Sequence, residues 1–171
     1  MVPAGWLERM RADHERVRER LAPLAPHGEG DPRPDPAAVQ EFVDFLAHQF
    51  AHHMAAEDDV LFPIVGDALP ATRASLLPLR DEHEELRTMH QALRELLAEP
   101  AGGDRDEQIG VQMADLAELL RIHMQKEERL VFQVAERVLR PGELERLVSE
   151  RVAGLPASRS STGPTNEGNS R

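Results

Sequence analysis

The sequence predicts an all-α protein, an antiparallel up-down four-helix bundle, and three observations lead to that fold class. The 171 residues are rich in Ala, Leu, Glu and Arg, aromatic residues make up 4%, and tyrosine is absent. This composition favours helices over strands. Proline and glycine fall in short clusters that divide the chain into four long segments. Within each segment the apolar residues recur with a period near 3.6, which predicts four amphipathic helices.

The predicted helices follow one another along the chain, over about residues 4–22, 36–68, 72–98 and 105–139. The connections between them carry Pro and Gly, which end helices and form turns. After the Pro-Gly pair at 141–142 there is room for a short fifth helix, over about 142–153. We therefore expect one domain over residues 1–155, followed by a polar, Ser/Gly-rich tail over 156–171 that is disordered.

Composition and charge exclude several classes of protein. The chain has 31 acidic and 20 basic residues and a net charge of −11, so it repels a phosphate backbone and we expect no nucleic-acid partner. It has no cysteine, which removes disulfides, thiolate metal sites and cysteine nucleophiles. No apolar run reaches the roughly 18 residues of a membrane span, and the N-terminus lacks a signal peptide. We expect a soluble, cytoplasmic protein with no membrane partner.

Ionisable residues interrupt each apolar stripe at positions where a core requires leucine. The first and third stripes contain a lone histidine, and the second and fourth contain a His-x-x-x-Glu pair: His14, His53, Glu57, His83, His123 and Glu127. Residues four apart lie about 6 Å apart along a helix axis, so the members of each pair can converge on one point. The fourth stripe then continues through Leu130 and Val134. Because an unpartnered buried charge costs several kcal/mol, these groups need a common partner.

An internal repeat relates these positions to one another. The segment DHERVR at 13–18 aligns with EHEELR at 82–87, and residues 46–62 align with 116–132, at offsets of 69 and 70 residues. Each half of the chain is therefore a helical hairpin with one lone histidine and one His-x-x-x-Glu pair. A pseudo-twofold axis would bring both sets to the bundle centre. Imidazole and carboxylate suit iron, manganese or zinc, and this ligand set fits a dinuclear carboxylate site.

Each of these signals taken alone has a simpler explanation. A His-x-x-x-Glu pair is usually a solvated ion pair, and a lone core histidine is usually satisfied by a neighbouring hydrogen bond. Two copies at matching offsets, each on an apolar stripe, favour a metal site instead. His90, two turns beyond His83, is interpreted as a hydrogen-bonded core residue, and a proton shuttle or an alternative ligand is the other interpretation.

At these residues the sequence resembles the hemerythrin family, in particular the HHE cation-binding domains common in bacteria. The segments HHMAAEDDVLFP (52–63), HMQKEERLVF (123–132) and EHEELR carry the resemblance, which covers about residues 10–135. The Ala/Arg-rich composition suits an actinobacterial member. The resemblance implies a four-helix bundle around two non-haem iron ions joined by an oxygen bridge. It assigns the six residues above as ligands, and the two glutamates as bridges between the irons.

Two positions differ from the oxygen-carrying members of that family. Those proteins have a second histidine one turn after the first on the third helix, where this chain has Arg87. They also place the fourth-helix carboxylate five residues after the histidine, at the position of Glu128, whereas the internal repeat favours Glu127. Glu128 therefore stays the alternative ligand. With one histidine fewer, the centre keeps more open positions, and we expect it to bind O2, peroxide or NO, or to decompose peroxide.

Two other functions stay open from the sequence. One is a sensor of oxygen or iron, or an iron-handling module, in which occupancy of the site changes the stability of the bundle. The other is a structural bundle that holds a metal such as zinc or manganese, or no metal. The sequence leaves open whether the protein is an enzyme and which protein partners it has.

Overall fold

The computed structural model describes residues 5–24, 34–140 and 142–155 of the chain. Within those ranges the chain forms five helices and no strand: Trp6–Leu21 (α1), residues 36–68 (α2), Arg73–Ala98 (α3), residues 103–138 (α4) and Glu143–Gly154 (α5). The predicted all-α helical bundle is confirmed. The predicted disordered tail over 156–171 lies outside the described residues.

Local sequence explains where the helices begin and turn. Asp35 accepts a hydrogen bond from the backbone N–H of Ala37 at 3.1 Å, and Pro36 occupies the first turn of α2. Gly142, which precedes α5, has a φ of 79°, a left-handed conformation that glycine adopts without steric cost. None of the helices in the described ranges combines the length and the apolarity that crossing a bilayer would require.

The apolar core is divided in two by a band of ionisable side chains. One cluster lies on the far side of this band from α5 and includes the fully buried residues Val39, Val43, Leu46, Leu86, Leu93, Ile109, Met113 and Leu116. The other cluster includes Leu61, Phe62, Val65, Val131 and Phe132, and is joined by Leu144 and Val148 of α5. The short helix α5 therefore covers the end of the bundle to which the N-terminus of α1 contributes.

Three π-helical segments interrupt α2 and α4 near the ionisable band, at Phe50–Met54, Glu57–Leu61 and Glu128–Phe132. The sequence pattern did not predict them. A π-turn adds one residue to the helical turn, so the residues after it face a different direction from that of a regular α-helix. The prediction that Leu130 continues the buried stripe is therefore wrong: its side chain is 48% exposed, and Val131, Phe132 and Ala135 are buried instead.

This displacement predicts different stabilities for two neighbouring substitutions. Val131→Ala removes two buried methyl groups and leaves a cavity, and should lower the free energy of unfolding by about 2 kcal/mol. Leu130→Ala removes more side chain from an exposed position and should change it by less than about 0.5 kcal/mol. Urea unfolding of both variants at matched metal content measures the difference. A larger loss from Leu130→Ala would show that the stripe follows a regular α-helix.

Candidate metal centre

The structure brings all six predicted site residues together in the middle of the bundle. Each of the helices α1 to α4 contributes, and the side chains are His14, His53, Glu57, His83, His123 and Glu127. Glu57 and Glu127 are fully buried, and the histidines are nearly so, with His53 the most exposed at 10% of its side chain. The group therefore lies inside the core that the two apolar clusters form.

Glu57 lies between histidines of two different helices. Its Oε1 is 3.2 Å from Nε2 of His53, and its Oε2 is 3.4 Å from Nε2 of His83. The Nε2 atoms of His14 and His53 are themselves 2.9 Å apart. One carboxylate therefore reaches both histidine pairs, one from α1 and α2 and the other from α3 and α4.

Glu127 occupies the equivalent position on α4. Its Oε2 is 3.3 Å from Nε2 of His14, while its Oε1 is 3.2 Å from Nε2 of His83 and 3.1 Å from Nε2 of His123. The potential ligand atoms consequently form two groups. One contains His14 and His53, the other contains His83 and His123, and both groups include the two glutamates.

A second carboxylate contacts the outer nitrogen of every central histidine. The Nδ1 atoms lie 2.9 to 3.0 Å from carboxylate oxygens in four pairs: His14 with Glu128, His53 with Asp13, His83 with Asp58, and His123 with Glu82. An ionised carboxylate only accepts hydrogen bonds, so each Nδ1 carries the proton and donates it. In a neutral imidazole this leaves the Nε2 lone pair directed at the centre, as a metal ligand requires.

The outer carboxylates follow the same internal repeat as the central residues. Asp13 and Glu82 each precede a lone histidine, whereas Asp58 and Glu128 each follow a central glutamate. Sequence reasoning missed Asp13 and Glu82, although the aligned segments DHERVR and EHEELR contain both. The structure also separates the two candidate ligands on α4. Glu127 faces the centre, whereas Glu128 contacts the outer nitrogen of His14 and the guanidinium of Arg18 at 2.7 Å.

Two phenylalanines fix the planes of two of the imidazoles. The ring of Phe62 stacks on His83 with centroids 5.7 Å apart and planes at 12°, and Phe132 stacks on His14 at 5.3 Å and 21°. The π-helical segments explain this placement, because Phe132 ends one of them and Phe62 directly follows another. Stacking and the Nδ1 hydrogen bonds together restrict both the tilt and the rotation of these rings.

Arg87 and His90 lie outside the centre. Arg87 Nη1 contacts Glu84 at 2.6 Å and its Nη2 lies 3.4 Å from Asp58, so the residue faces an outer carboxylate. His90 Nε2 donates a hydrogen bond to the backbone carbonyl of Val43 at 2.8 Å. His90 is therefore a hydrogen-bonded core residue, as the first interpretation of its position predicts, and it does not replace the histidine that Arg87 displaces.

The electrostatics of the centre favour positive charge. Burial alone lowers the pKa of His53, but Glu57 and Asp13 outweigh it and raise the pKa to about 10. Burial likewise lowers the pKa of His83, and its hydrogen bonds with Asp58 and Glu127 contribute to a net rise to about 11. Burial raises the pKa of Glu127, yet the surrounding histidines hold it well below its ordinary value. The centre therefore attracts protons or other cations.

A separate observation also indicates that these donor atoms suit metal ions. Both carboxylate oxygens of Glu57 and Oε2 of Glu127 are buried and make no hydrogen bond. Leaving such groups unsatisfied costs several kcal/mol, more for charged ones. The Nε2 atoms of His14 and His53, 2.9 Å apart, also need a proton or a metal ion between them. Divalent or trivalent ions bound by imidazole and carboxylate would satisfy all of these atoms.

A small cavity adjoins one half of the centre. Its volume is about 30 Å³, and His14, His53, Glu57, His123 and Glu127 contribute to its wall. The remaining wall is largely apolar and is formed by residues that include Val17, Phe50, Met54, Leu120 and Met124. One water-sized probe occupies roughly 10–15 Å³, so the space suits a ligand of two or three non-hydrogen atoms.

Comparison with known proteins gives one match. The family model described as hemerythrin HHE cation binding domain matches residues 7–135, which include all six central residues and the four outer carboxylates. The matched range agrees with the one from which the resemblance was inferred. No curated protein and no solved structure matches the chain.

The outer carboxylates should contribute to metal affinity through the histidines that they orient. Asp58→Asn removes the charge that holds the His83 ring and should weaken metal binding about 10- to 100-fold. The adjacent Asp59 is exposed, and Asp59→Asn should leave the affinity within about threefold of wild type. Competition with a chromophoric chelator measures both dissociation constants. Equal effects of the two substitutions would mean that Asp58 acts only through general surface charge.

Proposed function

The chain belongs to the hemerythrin HHE cation-binding domain family, and from that premise we propose that it is a non-haem di-iron protein that decomposes peroxide. The observation that carries the proposal is the sharing of Glu57 and Glu127 by two groups of ligands. A single ion would need only one of these groups. Two carboxylates that each reach both histidine pairs instead suit two ions bridged by carboxylate, which is the arrangement of di-iron sites in helical bundles.

The two halves of the chain would supply the ligands symmetrically. His14 and His53 would hold one ion, His83 and His123 the other, and Glu57 and Glu127 would contact both. Iron bound in this way supplies redox chemistry and Lewis acidity toward oxygen-containing ligands. The chain itself positions the ions, since the outer carboxylates and stacked phenylalanines hold the imidazoles, and the apolar clusters exclude bulk water from the site.

The number of protein ligands supports small-ligand chemistry rather than reversible oxygen carriage. Two six-coordinate ions would have twelve positions, and four histidines with two shared glutamates would fill eight of them. Arg87, which lies where oxygen carriers of the family have a fifth histidine, is directed at Asp58 and Glu84. The centre therefore keeps an additional position for an exogenous ligand. Conversion of two molecules of hydrogen peroxide into dioxygen and two of water needs no further oxidant or reductant.

Metal analysis tests the dinuclear assignment. The purified protein should contain about two iron ions per chain and show the near-ultraviolet absorption of an oxygen-bridged pair. Glu127→Gln should reduce the content to one ion or fewer, because it weakens a ligand that both ions share. Glu128→Gln should retain the dinuclear spectrum with weaker binding, because the contact of Glu128 with the central residues is with the outer nitrogen of His14. The reverse order of these two variants would make Glu128 the ligand, and a single zinc ion would favour a structural role.

Oxygen evolution from hydrogen peroxide tests the reaction. The iron-loaded protein should release dioxygen, and Glu57→Ala should abolish the release because it removes a ligand to both ions. Glu41→Ala, at an exposed position on the same helix, should leave the rate unchanged. A protein that binds two irons, forms a long-lived dioxygen adduct and leaves peroxide intact would be a carrier or a sensor instead.

A further inference from the structure

The two repeat-related halves differ in how they cover the centre, and the α3–α4 side is the more closed one. Lys126 contacts the carboxylate of Glu82 through its Nζ atom. Glu82 in turn accepts the hydrogen bond from Nδ1 of His123 at 2.9 Å. The side chain of His123 is 4% exposed. The lysine therefore adds a third member to the hydrogen-bonded pair, on its solvent side.

On the α1–α2 side the corresponding residue is an alanine. The offset of 70 residues that relates the two halves places Ala56 at the position of Lys126. A methyl group cannot extend over the Asp13–His53 pair, and a surface cleft of about 350 Å³ lies there, lined in part by Trp6, Asp13, His53 and Ala56. The side chain of His53 is 10% exposed, more than that of any other central histidine.

The cleft lies next to the small cavity inside the bundle. Asp13 and His53 line both spaces, so the cleft and the cavity adjoin at these two side chains. A second difference between the halves enlarges the inner space. The offset of 69 residues relates Val17, which lines the cavity, to Leu86, which is fully buried in the core on the other side. The smaller valine leaves room on the α1–α2 side.

We propose that the α1–α2 cleft is the entrance through which small ligands reach the centre, past the Asp13–His53 pair. The inner cavity of about 30 Å³ has room for roughly two water-sized groups, so it favours small ligands. Among the described residues of the opposite side, Lys126 covers the equivalent Glu82–His123 pair, so the entrance is assigned to the α1–α2 side although the ligand set is duplicated. This inference rests on the proposed function, because it requires a metal centre that binds small ligands.

An entrance has a kinetic signature that a metal ligand does not have. A residue that only covers the route changes the association and dissociation rate constants by the same factor. The dissociation constant, which depends on the free and bound states alone, is then unchanged. A substitution that alters the coordination of the metal changes the dissociation constant as well. The two rate constants measured together therefore distinguish access from ligation.

Azide, a linear ion of three non-hydrogen atoms, is a suitable probe of the iron-loaded protein. Ala56→Lys should lower both azide rate constants by about tenfold, and the uncharged Ala56→Met should do so with an unchanged dissociation constant. The added positive charge would by itself attract azide, so slower association cannot arise from charge. Ala56→Met covers the cleft without a charge and should act in the same direction. Lys126→Ala is the matched control and should leave the rates equal to or above those of wild type.

Chemical modification of the metal-free, full-length chain gives a second reading. Diethyl pyrocarbonate reacts with neutral imidazole, so the informative quantity is the ratio of the variant rate to the wild-type rate at the same histidine, which peptide mass spectrometry can resolve. Ala56→Lys should slow the reaction at His53, and Lys126→Ala should speed it at His123. If the wild-type protein bound neither iron nor azide, the proposed function would fail while this ratio still tested the cleft. An unchanged rate of modification at His53 in Ala56→Lys, or a change in the azide dissociation constant of Ala56→Met instead of equal changes in its two rate constants, would overturn the entrance.

Discussion

Two buried carboxylates at the centre of the bundle need positive charge beside them, and the surrounding residues are arranged to provide it. Glu57 and Glu127 are completely shielded from water, and three of their four oxygens make no hydrogen bond. The two carboxylates have oxygens within 4.8 Å of each other, and like charges this close in a core cost several kcal/mol unless a positive charge lies beside them. Four imidazoles surround them, and their outer hydrogen bonds turn lone pairs inward as well. The interior thus contains acceptors from every side, and cations are the partners that satisfy all of them.

The residues around the centre lower the electrostatic cost of placing so many hydrogen-bond acceptors together. Each central imidazole is held by an outer carboxylate, and these carboxylates in turn contact cations nearer the surface, as Glu128 does with Arg18 and Asp58 with Arg87. Charge therefore alternates outward from the centre. The same arrangement gives Arg87 a structural role. It contacts Asp58, the carboxylate that orients His83, and neutralises its charge. Arg87 therefore supports the ligand residue His83 instead of providing a further ligand.

The helices and the six central residues could be predicted because both depend on sequence periodicity, which a repeat then reinforced. What the sequence concealed has a different physical origin. A π-turn leaves no mark on an apolar pattern until the residues after it change face, as at Leu130 and Val131. The outer carboxylates Asp13 and Glu82 lie at the edge of the apolar stripes, where acidic residues are ordinarily solvated, so only their recurrence in the repeat could have indicated a role.

In this internally repeated fold, the ligand residues of the two halves must correspond, whereas the residues around them can differ. Carboxylates shared between two ions require equivalent ligands from both hairpins, and here the correspondence extends outward to the phenylalanines that stack on His14 and His83. In the proposed dinuclear centre, a small exogenous molecule would, in contrast, have to reach only one of the two ions. Residues such as Ala56 and Lys126, which contact no central ligand atom, can therefore differ without weakening the centre. Because the peripheral residues of the two halves differ, one face of the symmetric site is more open to solvent and the other is covered.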